Sequence, residues 1–180
     1  MFKSMFWFVV SSLINALAGL LNYPLAPIAV LFQKDGWLPN WLWWFQTPDN
    51  PLAAQIPDRI FPEHDTPFKR WVNYTAWLYR NSMYGLSETL LGFTVEPGFT
   101  YACDGDERVG NKPLVEGLVR RTLTSGGKTY WQWYYVKAWG PEKWRRCIRI
   151  NMGWKLWGSP QVGDKISIVF SLSPWQGWLK

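Results

Sequence analysis

Residues 37–51 read Trp-Leu-Pro-Asn-Trp-Leu-Trp-Trp-Phe-Gln-Thr-Pro-Asp-Asn-Pro, between a long apolar segment and a proline-rich connector. An indole has an apolar body and one polar N–H, so Trp concentrates where hydrocarbon meets water in membrane proteins. We therefore interpret the aromatic side chains of this stretch as an interfacial collar. The alternative is that they fill the core of a small soluble protein. The predicted collar comprises Trp37, Trp41, Trp43, Trp44 and Phe45.

The segment before the collar has no charged residue from Ser4 to Gln33. A helix from Met5 to Asn22 would be about 27 Å long, close to the thickness of the hydrocarbon core of a bilayer. Because Pro24 and Pro27 disrupt helices, we expect residues 25–32 to form a separate short piece.

Small and amide side chains recur along this helix at spacings of three and four residues, which places them on one face. The predicted helix-packing stripe contains Ser11, Asn15, Gly19 and Asn22. Such a stripe is typical of a helix that packs closely on a neighbour in lipid. We therefore expect this helix to pack against another helix or another protein.

The sequence leaves three fates open for this segment. It could be an uncleaved membrane anchor, or an apolar arm buried among protein subunits. It also fits a cleaved signal peptide, because Lys3 precedes the apolar run and Ala16-Leu17-Ala18 has the pattern of a cleavage site.

Charge is unevenly distributed along the chain. Residues 113–180 contain eleven Lys or Arg and three Asp or Glu, a net charge of +8, whereas residues 1–112 carry −2.

The two cysteines are too few for a disulfide framework, although one disulfide bond between Cys103 and Cys147 is left open.

Six prolines between residues 39 and 67 argue against a long helix or a central strand in the connector. A helix should begin after it, because Thr66 can cap its first turn and Pro67 suits the first helical position. An apolar rhythm then continues from Phe68 to Tyr79.

Two strings in this half of the chain are specific. Residues 41–52 read WLWWFQTPDNPL, and residues 77–85 read WLYRNSMYG. They resemble an uncharacterised family of small proteins of tailed bacteriophages, whose second block has the pattern WLxRNxxYG. This chain has Ser82 where that family would be expected to have proline. The resemblance implies a phage origin, and it brings neither an activity nor functional residues.

From Phe93 onward the pattern changes to period two with tight turn signals. It predicts strands at about 94–102, 114–124, 129–139, 144–157 and 165–172, joined as an antiparallel meander. We expect this meander to form a small barrel or sandwich.

The strand that starts at Trp144 should have two different sides. Ile148, Ile150 and Met152 alternate with cationic residues, so we expect the apolar side to face the core. The other side should be a basic face that contacts a partner. This basic partner face contains Arg145, Arg149, Lys155 and Trp157.

Motifs for catalysis are weak. The one histidine lies in Glu63-His64-Asp65, which is more typical of a solvated turn than of a metal site. The acidic stretch from Asp104 to Glu107 lacks the closing glutamate of a calcium loop, and no phosphate-binding loop or nucleophile elbow is present. We therefore predict no enzyme, no metal and no cofactor.

The sequence as a whole predicts an α+β fold. Its parts are an apolar helical arm (1–33), a Trp- and Pro-rich connector (34–66), a central helical segment (67–92) and a basic antiparallel β domain (93–180). The favoured function is a non-enzymatic, phage-encoded, membrane-associated interaction protein at the host inner membrane. Its partner would be another protein, with lipid and further copies of the chain as additional candidates.

Two alternative functions belong to other classes. In the first, the chain is a structural virion component of the tail, neck or baseplate, and its apolar arm is buried between neighbouring subunits. In the second, the basic aromatic sheet binds nucleic acid, which the sequence does not favour because it lacks a known nucleic-acid signature.

Overall fold

The computed structural model describes residues 2–52, 60–61, 65–110 and 115–177. It confirms the α+β class: within those residues three α-helices are followed by antiparallel strands. The chain divides into two compact units. The first unit contains Met1–Ser12 and Gly92–Lys180, and the second contains Leu13–Leu91.

The N-terminal helix, α1, extends over Phe2–Ala29 and continues into a 3₁₀ turn at Val30–Phe32. The expectation that the two prolines end this helix is wrong. Pro27 has no N–H to bond to the carbonyl of Tyr23, but the hydroxyl of Tyr79 donates to that carbonyl at 2.9 Å. A side chain from elsewhere in the second unit thus replaces the missing helical bond.

The second helix, α2, spans Pro67–Arg80 and confirms the predicted central helix. The Thr66 hydroxyl oxygen accepts a bond from the Lys69 N–H at 3.3 Å, and Pro67 occupies the first turn. Its inner side contacts α1, where the Trp71 indole donates to the carbonyl of Pro27 at 2.8 Å. A short helix, α3, follows at Tyr84–Thr89.

The connector is held by a tight turn and by one buried amide. Asp35 and Gly36 have φ of 52° and 83°, which suits a two-residue turn between Lys34 and Trp37. The Gln46 amide nitrogen donates to the carbonyls of Gly36 at 3.1 Å and Asn50 at 2.8 Å. Residue 46 therefore fixes the loop that carries the indoles.

The two specific strings of the sequence lie against each other through Gly85. A Cβ atom at this position would collide with the carbonyl oxygen of Trp43 and would lie 2.7 Å from that of Gln46. The amide of Leu86 also donates to the carbonyl of Trp44 at 3.1 Å. Glycine is therefore required for the close approach of these two backbones.

Replacing Gly85 with alanine should lower the free energy of unfolding by about 2–3 kcal/mol, because the new methyl group meets backbone that cannot move aside cheaply. Thermal unfolding in detergent would measure the change. Gly19→Ala is the matched control, since its Cβ would lie 3.6 Å from the Ser82 hydroxyl, an ordinary contact. Equal losses in both variants would contradict the packing described here.

Seven strands follow in the part of the chain that the structure describes. They are β1 (Phe93–Thr94), β2 (Thr100–Gly105), β3 (Gly117–Ser125), β4 (Lys128–Trp139), β5 (Arg146–Trp154), β6 (Lys165–Ile166) and β7 (Ile168–Gly177). Strands β2-β3-β4-β5-β7 form one antiparallel sheet in that order, and β1 pairs with β6. The predicted meander is confirmed, but the sheet is open and not closed into a barrel.

Strand β5 alternates as predicted, and Trp154 on the predicted core side is buried, but over residues 147–151 the assignment of the two sides is wrong. Cys147 and Asn151 are buried, whereas Ile148 and Ile150 are only partly buried. The Asn151 side chain can be covered because its oxygen accepts a hydrogen bond from Gln132 on the neighbouring strand. Apolar character alone therefore did not identify the covered face.

A hydrogen-bonded relay organises the covered face. The Arg121 guanidinium is 2% exposed and donates to the Gln132 side-chain oxygen at 3.1 Å. It also donates to the carbonyls of Glu107 at 2.7 Å and Val109 at 3.2 Å. The Gln132 amide donates in turn to the Asn151 side-chain oxygen at 2.9 Å, so the relay links β3, β4 and β5.

Candidate functional site

The small and amide residues of α1 face protein. Ser11 and Asn22 are buried, and Asn15 and Gly19 are half-buried. The Asn22 amide nitrogen donates to the carbonyl of Leu78 in α2 at 2.9 Å. In the first unit, Phe8 extends this covered side and packs against the ring of Trp131, with ring centroids 4.8 Å apart.

The opposite side of α1 and its 3₁₀ turn, here called the outer face, is apolar and exposed. It consists of Met5, Phe6, Trp7, Val9, Leu13, Ile14, Leu17, Leu20, Leu21, Tyr23, Leu25, Ile28, Leu31 and Phe32. The segment Ser4–Phe32 is long and apolar enough to cross a membrane, with a mean hydropathy of 1.8, and only 11% of its most apolar window is buried. The helix of a soluble core has the reverse polarity, with its apolar side covered.

The collar residues divide into two groups. Trp37, Trp41, Trp43 and Trp44 are exposed and form what we call the indole cluster. Phe45 does not belong to it, because it is 2% exposed and packs in the core of the second unit. The 3₁₀ turn at Asn40–Leu42 puts residues 42 and 45 on the inner side of the chain and the indoles on the outer side.

The indole cluster adjoins the end of the outer face. The rings of Phe32 and Trp41 meet edge to face, with centroids 5.3 Å apart. Both rings are more than half exposed. The apolar side of α1 therefore leads directly into a group of amphipathic rings.

The residues of the predicted basic partner face do not share one environment. Arg149 is half-buried, with its guanidinium 5.3 Å from the centre of the Tyr134 ring, and the Trp157 ring lies 5.6 Å from the same ring. Lys155 is half-buried as well, whereas Arg145 is exposed in the turn before β5. Contact of these residues with a partner stays a prediction.

The two cysteines are free thiols. Cys103 lies on β2 and Cys147 on β5, and the two intervening strands separate them by at least about 14 Å, too far for a disulfide bond. Burial raises the pKa of both thiols. Because the thiolate is the reactive form, neither thiol is activated as a nucleophile at neutral pH.

One described carboxylate of each acidic motif forms a local ion pair. Glu63 and His64 lie outside the described residues, and Asp65 pairs with Lys69 at 2.8 Å. The Arg108 guanidinium bonds to Asp106 at 2.7 Å and lowers the pKa of that carboxyl group to about 2. Within the described part of the chain, no three His, Cys, Asp or Glu residues are grouped so as to hold a metal ion.

Comparison with known protein families gives a match over the full sequence. The model of DUF7338, described as a family of unknown function, matches residues 1–180. No curated protein matches the chain, and neither does any solved structure. The family match brings no activity, substrate or partner with it.

Proposed function

The chain belongs to this family of unknown function, and we propose that it is a non-enzymatic, phage-encoded protein that attaches to the host inner membrane. Its role there would be to hold or block another protein. The proposed phage origin rests on the resemblance of the strings at residues 41–52 and 77–85. The proposed attachment uses the outer face of α1 and the indole cluster.

The observation that carries the proposal is the inverted polarity of α1. Its small and amide side chains face protein, while fourteen apolar side chains face outward along the helix and its 3₁₀ turn. Removing one such side chain from water is worth about 1.5–3 kcal/mol. A continuous exposed patch of this kind is typical of a surface that contacts lipid or another protein.

The length of α1 suggests how it lies. At about 1.5 Å per residue its 28 residues extend over roughly 42 Å, which exceeds a hydrocarbon core of about 30 Å. Protein covers one side of it in both units, and α2, which packs beside its second half, carries the exposed cations Arg70 and Arg80. We therefore propose that α1 lies along the membrane surface with only its outer face in lipid.

Cleavage of the N-terminus as a signal peptide fits the packing of α1 less well than retention of the whole helix does. Cleavage after Ala18 would remove Phe8 and Ser11, which are both buried. It would also cut α1 four residues before Asn22, which bonds to α2. Retention of the whole helix is therefore part of the proposal.

Fractionation of cells that express the full chain alone tests the proposal. We expect the protein to sediment with membranes, to resist washing with high salt, and to be released by detergent. A protein that stays in the soluble fraction would contradict it. For the virion alternative, mass spectrometry of purified particles should instead find the chain in a fixed copy number, with the outer face covered by other subunits.

The indole cluster should contribute measurably to attachment. Replacing Trp41 or Trp44 with alanine should each cost about 1–2 kcal/mol, a five- to thirtyfold weaker partition into lipid vesicles, because an exposed indole loses its interfacial position. Vesicle flotation would measure the partition. Phe45→Ala is the contrasting variant: it should lower the melting temperature, through the cavity left in the core, rather than act primarily on flotation.

A further inference from the structure

The open sheet of the first unit leaves much of one of its sides exposed. This side, here called the apolar sheet face, presents Leu118, Trp133, Tyr135, Ile150, Phe170 and Leu172. Phe170 and Leu172 are each 62% exposed. A monomeric soluble protein rarely exposes so many large apolar side chains on neighbouring strands.

Strand register places these side chains in rows. Leu118 pairs with Tyr135, Tyr135 with Ile150, and Ile150 with Leu172, so one apolar row crosses four strands. A parallel row joins Trp133, through Met152, to Phe170. The four-strand row extends over about 14 Å and the three-strand row lies beside it, so the face is one continuous surface.

Cations border this face. The Arg120 guanidinium lies 5.6 Å from the centre of the Trp133 ring, and Lys137 follows Tyr135 on the same side of β4. At the turn between β4 and β5 the chain reads Lys143-Trp144-Arg145-Arg146, and Trp144 is 72% exposed. An exposed indole among three cations is a suitable anchor at an anionic membrane surface.

The first segment of α1 lies on the same side of the sheet. Phe8 packs on Trp131 of β4 and Trp154 of β5, whose rings also contact each other, with centroids 6.1 Å apart. Trp131 in turn contacts Trp133 of the apolar sheet face, with ring centroids 6.1 Å apart. Within the first unit, this face is therefore continuous with a helical segment whose own outer residues are apolar.

We propose that the apolar sheet face, with the Lys143–Arg146 turn, docks on the surface of a bilayer that contains anionic phospholipid. This inference rests on the proposed attachment to a membrane. The first unit has fourteen Lys or Arg and seven Asp or Glu, a net charge of +7. A second copy on the same face would bring like charges together, whereas anionic headgroups complement them.

Flotation of the full chain with two kinds of vesicle tests the proposal. One kind contains phosphatidylcholine alone, and the other contains phosphatidylglycerol as well. We expect binding to both through α1, with a preference for the anionic vesicles that decreases as salt is added. The double variant Lys143→Glu/Arg145→Glu should reduce that preference about thirtyfold and retain flotation with phosphatidylcholine.

Lys128→Glu/Lys165→Glu is the matched control, because it changes the net charge equally at two exposed cations outside the Lys143–Arg146 turn. It should keep most of the preference. Equal loss in both double variants, or no loss in either, would overturn the assignment to this turn. If the protein does not attach to membranes at all, the wild-type protein should float with neither kind of vesicle. That result is distinguishable from a wrong assignment of this turn, in which the wild-type protein still floats.

A second measurement tests the face directly. An environment-sensitive fluorophore on Phe170→Cys should enter an apolar environment on anionic vesicles, whereas one on Ser171→Cys, on the opposite side of β7, should not. Both would be made in a Cys103→Ala/Cys147→Ala background. Two water-exposed labels would overturn the proposal. Protection of position 170 that depends on protein concentration and needs no lipid would also overturn it, and would indicate a second copy.

Discussion

Replacing Leu17 and Leu20 by glutamate should abolish sedimentation of the protein with membranes and leave its fold intact. The two side chains are 62% and 66% exposed on the outer face of α1, so neither supports the core. A carboxylate in the hydrocarbon region costs on the order of 2.5–3.5 kcal/mol. Two of them should weaken membrane partition at least about a thousandfold.

Leu90→Glu provides the control for this double variant. Leu90 is also exposed but lies at the end of α3, away from α1 in the sequence. The Leu90→Glu variant should therefore sediment with membranes like the wild-type protein. Circular dichroism and thermal unfolding in detergent would verify that all variants are folded. Release of the Leu90 variant, or retention of the Leu17/Leu20 variant, would contradict attachment through the outer face.

Arg121→Leu should destabilise the fold by about 3–5 kcal/mol, the largest loss of stability expected here. The variant removes three hydrogen bonds and leaves the carbonyls of Glu107 and Val109 and the side-chain oxygen of Gln132 without their donor. Each buried acceptor left unpaired costs about 1–3 kcal/mol. Denaturant unfolding of the full chain in detergent would measure the loss.

The neighbouring residue supplies a matched control. Arg120 lies on the opposite side of β3 with an exposed side chain, and its contact with Asp104 is 4.0 Å long. A surface pair of this kind contributes at most about 1 kcal/mol. Arg120→Leu should therefore be nearly neutral. If both substitutions destabilised the protein equally, the role assigned to the buried relay would be wrong.

Local signals predicted much of the fold. Thr66 and Pro67 mark the start of α2 because capping and a fixed φ act within one helical turn. The turn at Ser125-Gly126-Gly127-Lys128 marks a hairpin for a similar reason, and β3 and β4 pair there. Features that depend on residues close to one another along the chain could therefore be predicted from the sequence.

Features that depend on partners distant in sequence were not predicted. The helix continues through Pro24 and Pro27, and the carbonyl freed by Pro27 accepts a bond from Tyr79, 56 residues after Tyr23. Over residues 147–151 the two sides of β5 were exchanged, because the side-chain oxygen of the buried Asn151 accepts a hydrogen bond from Gln132 on another strand. Neither partner can be identified from spacing alone.

Part of the candidate site could be predicted from the sequence. The run of indoles indicated an exposed aromatic group, and the structure exposes all four of its Trp side chains. The burial of Phe45 could not be read from composition, since it follows from the 3₁₀ turn just before it. The Lys143–Arg146 string was visible in the sequence, and its significance comes from the exposure of Trp144 between the cations.

A deletion of residues 1–33 would not test membrane attachment cleanly. It would remove Phe8, which packs on Trp131 and Trp154, and Asn22, which bonds to Leu78. A truncated protein would therefore expose surfaces that are covered in the full chain. Substitutions on the outer face avoid this difficulty because they leave the covered side of α1 unchanged.

Nitroxide accessibility along α1, measured in bilayers, tests the central claim most directly. Single labels at Leu13, Leu17 and Leu20, with Thr89 as an exposed reference, would be compared for collisions with oxygen, which is enriched in lipid, and with a polar nickel chelate. We predict that the three helical positions collide with oxygen and are shielded from nickel, at similar depths in the membrane. Free access of nickel to them, or shielding from both reagents, would show that water or protein covers the outer face, and would contradict the account.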